Sequence, residues 1–347
     1  MRKGERTLAL SERKERILGL LTDAYIRTGE PVGSKWLMEQ MDNAVSSATI
    51  RNEMAELAAL GYLEQPHASA GRVPTPKAFR LYIDKLMKPV SPSEALCRDI
   101  DDALEQAGSP DELIETASGL LAQETGCAAI TTSPTENHAT IRRLEVIPMS
   151  PYAVSLLLMT GFGMLHHRVC RLFDPVPRAV CERLTATLCA EFVGKTTADV
   201  TLPKMQRLLV SLGDEGFSCM PVLTALYELT QESERAEVLL KGQLNLLRNP
   251  AYAPERAHSL IDFLAQRAQL SRLLAAHPGG MRVVFGSEAG SPELAGSSLI
   301  VTRYVPKGGD GAIGLIGPQR MNYATVIPTL AYTARAVEHI FDQFLKE

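Results

Sequence analysis

Apolar residues near the start of the chain recur at helical spacing. Ile17, Leu20, Leu21, Ala24 and Tyr25 share one face of a helix that Ser11 can cap, and "RTGEPVG" (27 to 33) ends it with Gly and Pro. Ser34 is expected to cap a shorter helix carrying Leu37 and Met41, and "DNAV" (42 to 45) turns the chain. Ser46 opens a third helix in which Ile50, Met54 and Leu57 fall within a narrow arc facing a core. Three short helices, the last two joined by a tight turn, match the helix-turn-helix arrangement. After Gly61 the period changes: "YLEQ" and "RVPT" read as short strands flanking "PHASAG", a hairpin with a broad tip. Thr75 and Pro76 open a further helix with Phe79, Tyr82, Ile83 and Leu86 toward a core. Helices followed by a hairpin predict a winged helix-turn-helix, closed by the Pro- and Ser-rich "KPVSPSE" (88 to 94).

Beyond that linker helices and strands are mixed, so the fold class is α+β. Helical stretches at 94 to 107 and 110 to 124 lead into the strand "CAAITTSP". Three strand-like runs follow, "IRRLEVIPM", "YAVSLLLMT" and "MLHHRVCRL", then helices near 176 to 193 and over 203 to 247. A helix over 255 to 276 precedes the strands "MRVVFGSE", "SSLIVTRYV" and "AIGLIGP", and a helix over 323 to 346 ends the chain. Two separate strand groups suggest a sheet domain interrupted by an inserted one.

The third helix has an unusual outer face. Winding it at about 100° per residue puts Ala48, Arg51, Asn52 and Ala55 opposite Ile50, Met54 and Leu57. In a DNA-binding helix-turn-helix the second helix enters the major groove. Alanine there lets the backbone approach and can touch a thymine methyl, while Arg51 can pair with guanine and Asn52 with adenine. Ser46, Ser47 and Thr49 offer hydroxyls, and the helix N-terminus free amides, to phosphate oxygens. The competing reading makes Ala48 and Ala55 ordinary helix formers and Arg51 a solvated charge. The hairpin tip tips the balance: His67 and Arg72 are donors, Ser69 and Ala70 allow close approach, and Gly71 is expected to supply an unusual backbone angle. Arginine suits a wing that enters the minor groove or clamps phosphate.

Composition narrows the alternatives. The 347 residues, 45% hydrophobic and 22% charged, suit a soluble protein of two or three domains. The longest apolar run, "AVSLLLMTGFGML" (153 to 165), is broken by Gly161 and Gly163, so no membrane partner is expected. The charged start is no signal peptide, and cytoplasm is the expected location. Cys97, Cys127, Cys170, Cys181, Cys189 and Cys219 lack the spacing of disulfide or metal frameworks and read as reduced thiols. Residues 1 to 88 hold 14 Lys+Arg against 11 Asp+Glu, and the remainder 22 against 29. A mildly basic head on an acidic body permits a polyanionic partner at the N-terminus. "GGDGAIG" (308 to 314) has G-x-G-x-x-G spacing at Gly309, Gly311 and Gly314, but an apolar strand continues where a dinucleotide site needs a helix. His166 and His167 are adjacent in a strand and face opposite sides. With no H-E-x-x-H, G-x-S-x-G or Walker motif, no catalytic, cofactor or metal residue is assigned.

"VSSATIRNEMAELAALGYLEQPHASAGRVPT" (45 to 75), "LSERKERILGLLTDAYIRTGEPVGS" (10 to 34) and "GPQRMNYATVIPTL" (317 to 330) resemble the bacterial heat-inducible transcription repressor HrcA family. The likeness covers essentially the whole chain and is strongest before residue 90. "PTPKAFRLYID" departs from it, with Ala78 and Phe79 where Gly and Tyr are commoner. The resemblance implies a winged helix over 1–88, a GAF-like domain in two parts (91–138 and 226–347) and an inserted dimerisation domain over 139–225. It implies a homodimer that binds an inverted-repeat operator on double-stranded DNA upstream of chaperone operons. It also implies dependence on the GroE-type chaperonin, which unfolded protein draws away during heat stress. Independently, a twofold dimer on a palindrome sums two half-sites where one small module would bind too weakly. Two alternatives stand beside a repressor: a regulator whose GAF-like domain senses a small molecule, and an enzyme with a DNA-binding appendage. The missing nucleophile, metal and phosphate motifs argue against the enzyme.

Overall fold

Helix α1 (Glu12–Thr28) begins where the Ser11 side chain accepts a hydrogen bond from the Lys14 amide, and it ends at Gly29, with φ +73°. The computed structural model describes residues 10–41, 45–68, 70–135, 138–161, 163–275, 279–307 and 309–344. Helices α2 (Ser34–Gln40) and α3 (Ser47–Ala59) follow, then a hairpin of β1 (Leu63–Glu64) and β2 (Val73–Pro74). Thr75 caps α4 (Pro76–Leu81), which continues as a π turn over Tyr82–Leu86. Ile17, Leu18, Leu21, Leu37, Ile50 and Leu57 are wholly buried in the core of this N-terminal head. Ser34 is not the expected cap. Gly33 holds that position, and the Ser34 hydroxyl lies 3.0 Å from that of Ser47, tying α2 to α3.

Charge fixes α3 against α1. Glu53, buried on the inner side of α3, accepts from Arg13 Nε at 2.8 Å, and Lys14 Nζ lies 3.5 Å from its second oxygen and 2.7 Å from Glu56. Burial resists ionisation of Glu53, but Arg13 and Lys14 outweigh it and hold the carboxyl below its ordinary range.

The body is α+β. Helices α5 (Glu94–Glu105) and α6 (Pro110–Thr125) lead to β3 (Ala128–Thr132), every residue of which is buried. Next come β4 (Ile141–Ser150), β5 (Ala153–Thr160) and β6 (Leu165–Arg171), paired antiparallel in that order. Helices α7 (Arg178–Phe192), α8 (Leu202–Ser211) and α9 (Gly216–Ser233) share a core with one face of this sheet, around Leu144, Leu156, Leu158, Leu188, Phe192 and Leu226. The chain then returns through β7 (Val238–Lys241), α10 (Gln243–Arg248), α11 (Pro254–Leu264), α12 (Arg267–Ala275), β8 (Arg282–Phe285), β9 (Ser297–Tyr304), β10 (Gly311–Pro318) and α13 (Tyr323–Phe344). The larger sheet is antiparallel in the order β7-β3-β10-β9-β8. Leu113, Leu121, Leu330 and Val337 bring α6 and α13 to one face; Leu260, Phe263 and Leu270 bring α11 and α12 to the other.

Two expectations are corrected. The stretch 203 to 247 is not helical throughout, because Val238–Lys241 pairs with β3 as an outer strand of the larger sheet. The stretch 255 to 276 breaks between Leu264 and Arg267, and the second piece turns to bury Leu270 and Leu274. Strand β3, though it precedes β4–β6 in the chain, pairs with β10 and β7 of the later set. Gly311 and Gly314 lie within β10: a Cβ on the first would stand 2.2 Å from the Tyr304 ring, and on the second 2.8 Å from the Ile300 carbonyl oxygen. Close packing explains these glycines. No helix among the described residues is long and apolar enough to cross a membrane.

Candidate nucleic-acid interface

The side chains singled out on α3 divide into two groups. Ser46 Oγ accepts from the Thr49 amide at 3.1 Å and lies 2.9 Å from Thr49 Oγ1, so it caps the helix, while Ser47 is engaged with Ser34. These hydroxyls hold the helix first; each retains bonding capacity for one further partner. Ala48, Arg51, Asn52 and Ala55 are all exposed and form the outward face. Among the described residues no carboxylate pairs with Arg51 or Arg72, whereas Arg13 and Arg80 are both in ion pairs.

The hairpin is tied at its tip. Gln65 Nε2 donates to the carbonyls of Ala68 at 2.9 Å and Ala70 at 3.0 Å, and the Ala70 amide donates to His67 O at 2.9 Å. His67 is exposed; Ala70, Gly71 and Arg72 are half-buried; Ser69 lies outside the described residues. At its base, Arg72 and Val32 exchange two backbone hydrogen bonds of 2.9 Å, so the loop before α2 adds a third extended segment. This pairing corrects the reading of Gly71. Its φ is not in the left-handed region; a Cβ there would stand 2.4 Å from the Val32 carbonyl oxygen. Proximity to another backbone, and not an unusual angle, demands glycine.

Helix and hairpin open on one cleft of about 420 Å³, lined by Arg51 and Met54 from α3, Gln65, Ala70, Gly71 and Arg72 from the hairpin, and Gly33 and Ser34 from the start of α2. The fold thus brings Arg51, Ala70, Gly71 and Arg72 together. Ala48, Asn52, Ala55 and His67 lie outside that lining, on the exposed surface. Sequence reasoning missed Ser34 and Gln65, whose roles depend on partners distant in the chain or across a hairpin. Two arginines flanking a polar cleft can neutralise phosphate charge and release counterions.

The body has an open polar cleft of about 400 Å³ beside Glu124, Asn249, Arg320 and Asn322, and little enclosed space. The apolar cavity lined by Leu273, Val284, Leu294 and Ile316 measures about 10 Å³, room for a single water. Burial pushes the Cys127 thiol up to about 11, away from nucleophilic reactivity.

Residues 111–327 match the family model described as the HrcA protein C terminal domain. The chain is 32% identical to the heat-inducible transcription repressor HrcA of Desulforudis audaxviator, over 98% of this chain and all of that protein. It is 35% identical to the protein of the same name from Mycolicibacterium vanbaalenii, over 93% of this chain and 96% of that one. A solved structure described as a hypothetical protein at 2.2 Å resolution superposes with a TM-score of 0.67 at 25% identity, covering 97% of this chain and 100% of that one. These matches place the protein in the class of transcription repressors. It belongs to the family of heat-inducible transcription repressors named HrcA.

Proposed function

We propose that residues 1–88 are a winged helix-turn-helix that inserts α3 into the major groove of DNA and lays the hairpin along the adjacent backbone or minor groove. The observation that carries this reading is the single cleft between Arg51 of α3 and Arg72 of the hairpin, beside an alanine-lined helix face. A groove about 12 Å wide leaves no room for long side chains all round a helix, so Ala48 and Ala55 suit close approach. Arg51 and Asn52 read base edges; Arg72 and His67 hold the backbone or minor groove; Ser46, Ser47, Thr49 and the half-buried Ala70 and Gly71 frame those contacts.

Two copies act together on an inverted repeat upstream of chaperone operons. The segment proposed to dimerise, 139–225, contains the three-stranded sheet, whose helix-free face carries Leu157 and Met159 beside exposed Ile147, Leu165 and Val169. Arg143, Glu145 and His167 share this face, so it is mixed; an uncovered surface with several exposed apolar side chains marks an interaction site, and a second copy of the chain is its occupant. The two flanking segments, 91–138 and 226–347, form the GAF-like body. In a free subunit the same apolar face is the sort of surface the GroE-type chaperonin retains, which supports a repressor kept competent by chaperonin and lost on heating. The protein acts on cytoplasmic DNA and catalyses no reaction.

The test is footprinting of the full-length protein on promoter DNA upstream of the organism's chaperone genes. Protection of two half-sites related by a dyad is expected. Binding indifferent to sequence at near-physiological salt would refute the reading.

A further inference from the structure

Arg80 makes polar contacts from the head to the body. Arg80, on the last turn of α4, donates from Nη1 to the Val283 carbonyl at 2.7 Å and from Nη2 to Glu288 Oε2 at 2.6 Å. Its guanidinium also sits 4.8 Å from the centre of the Phe285 ring. Glu288 is itself held, because the same oxygen accepts from the Phe285 amide at 3.1 Å. Beside this contact Phe79 leaves the head's core to pack against Phe285 and Tyr323, with ring centres 6.2 and 6.0 Å away. On the other flank the Arg320 guanidinium lies about 3.0 Å from where a Cβ on Gly29 would stand, so the end of α1 rests on the segment before α13.

We infer that Arg80 is a positioning residue that locks the head at one orientation on the body, and so sets the half-site separation that a dimer can bridge. Three features support this. Arg80 satisfies a backbone acceptor, a carboxylate and a ring face at once, which a planar guanidinium can do and a lysine ammonium cannot. Two of the three partners, Val283 and Phe285, lie on β8, which is paired with β9 at the edge of the larger sheet, and Glu288 lies in the turn that follows and is tied back to Phe285. The main-chain link between head and body, residues 87 to 93, is irregular; its Val90 amide donates to the Ala324 carbonyl at 2.8 Å, and that bond alone would not fix an angle. The spacing consequence rests on the dimeric, palindrome-binding reading above; the lock does not.

The test has two arms. Trp36, the only tryptophan, lies in α2 of the head, so its fluorescence anisotropy decay reports head tumbling without DNA. In the intact wild-type protein it should decay with the whole molecule, whereas Arg80→Ala and the gentler Glu288→Gln should each add a fast component. Circular dichroism checks that both variants remain folded. In the second arm, operator duplexes carry spacers changed in single base-pair steps; a change of about five pairs turns one half-site to the opposite face. Wild type should lose affinity on the order of tenfold away from its optimum, and Arg80→Ala less than about threefold, with Arg80→Lys close to Ala. Unchanged anisotropy in both variants would overturn the lock. A loosened head with a spacer profile as sharp as wild type would overturn its role in spacing. Wild-type protein that binds no palindrome at any spacing would instead sink the operator reading, with the anisotropy arm still deciding the lock.

Discussion

Gly71 lies against Val32 so closely that a β-carbon on it would stand 2.4 Å from the Val32 carbonyl oxygen. Arg72 and Val32 are paired through both of their backbone groups, so neither segment can retreat without losing hydrogen bonds. Gly71→Ala is therefore expected to destabilise the head by about 1–3 kcal/mol and to weaken DNA binding with it. Thermal unfolding followed by Trp36 fluorescence measures the first effect. An alanine variant melting with wild type would show that the pairing is looser in solution.

Arg51 and Arg72 face one cleft but are assigned different work. Arg51→Ala should cost about 1–3 kcal/mol and relax base preference at one operator position. Arg72→Ala, if it holds phosphate, should weaken binding to operator and scrambled duplex alike and shallow the salt dependence. Electrophoretic titrations of both duplexes at several salt concentrations separate the two patterns. Equal, unchanged binding by both variants would remove these residues from the interface.

Glu53 gives the head a pH dependence of definite sign. In the folded chain its carboxyl ionises below the ordinary value of 4.5, so its stabilisation is complete above that value and lost as pH falls through the lower folded one. Glu53→Gln should cost about 1–2 kcal/mol at neutral pH. The gap from wild type should then close in acid, read from Trp36 unfolding curves down to about pH 3. A gap constant across that range would mean that shape, and not charge, is what Glu53 supplies.

The uncovered face of the three-stranded sheet tests the dimer. Val169 and Leu165 are more than half exposed, on the side away from α7 and α9. Leu165→Glu with Val169→Glu should leave each chain folded but shift the protein to monomers in sedimentation at micromolar concentration, because charge is expelled from an apolar seam. Operator affinity should fall with it. A double variant still dimeric would place the seam elsewhere.

Much of the head was legible because its signals are local. Ser11, Ser46 and Thr75 cap α1, α3 and α4 as their side chains suggest, and Ile50, Met54 and Leu57 point inward as their spacing requires. Where sequence reasoning failed, the deciding partner was remote. Val238–Lys241 carries an apolar pattern that also fits a helix; it is a strand because β3, a hundred residues earlier, offers an edge. No Gly or Pro marks the break between α11 and α12, which serves to seat Leu270 and Leu274 on the sheet. Ser34 could have capped α2, but Ser47 draws its hydroxyl away. At the candidate interface the exposed alanines could be read from the helical wheel. The closeness of Gly71 to Val32 could not, since it depends on a loop some forty residues upstream.

Strand β8 ends the larger sheet, and Arg80 of the head reaches over that rim to the Val283 carbonyl. A bare strand at a sheet margin is a template on which other chains can add. In the lock proposed for Arg80, the guanidinium that orients α3 also shields this border, so warming that frees the head is expected both to blunt the proposed operator recognition and to invite self-association. Loss of repression and loss of solubility would then be two readings of one released contact.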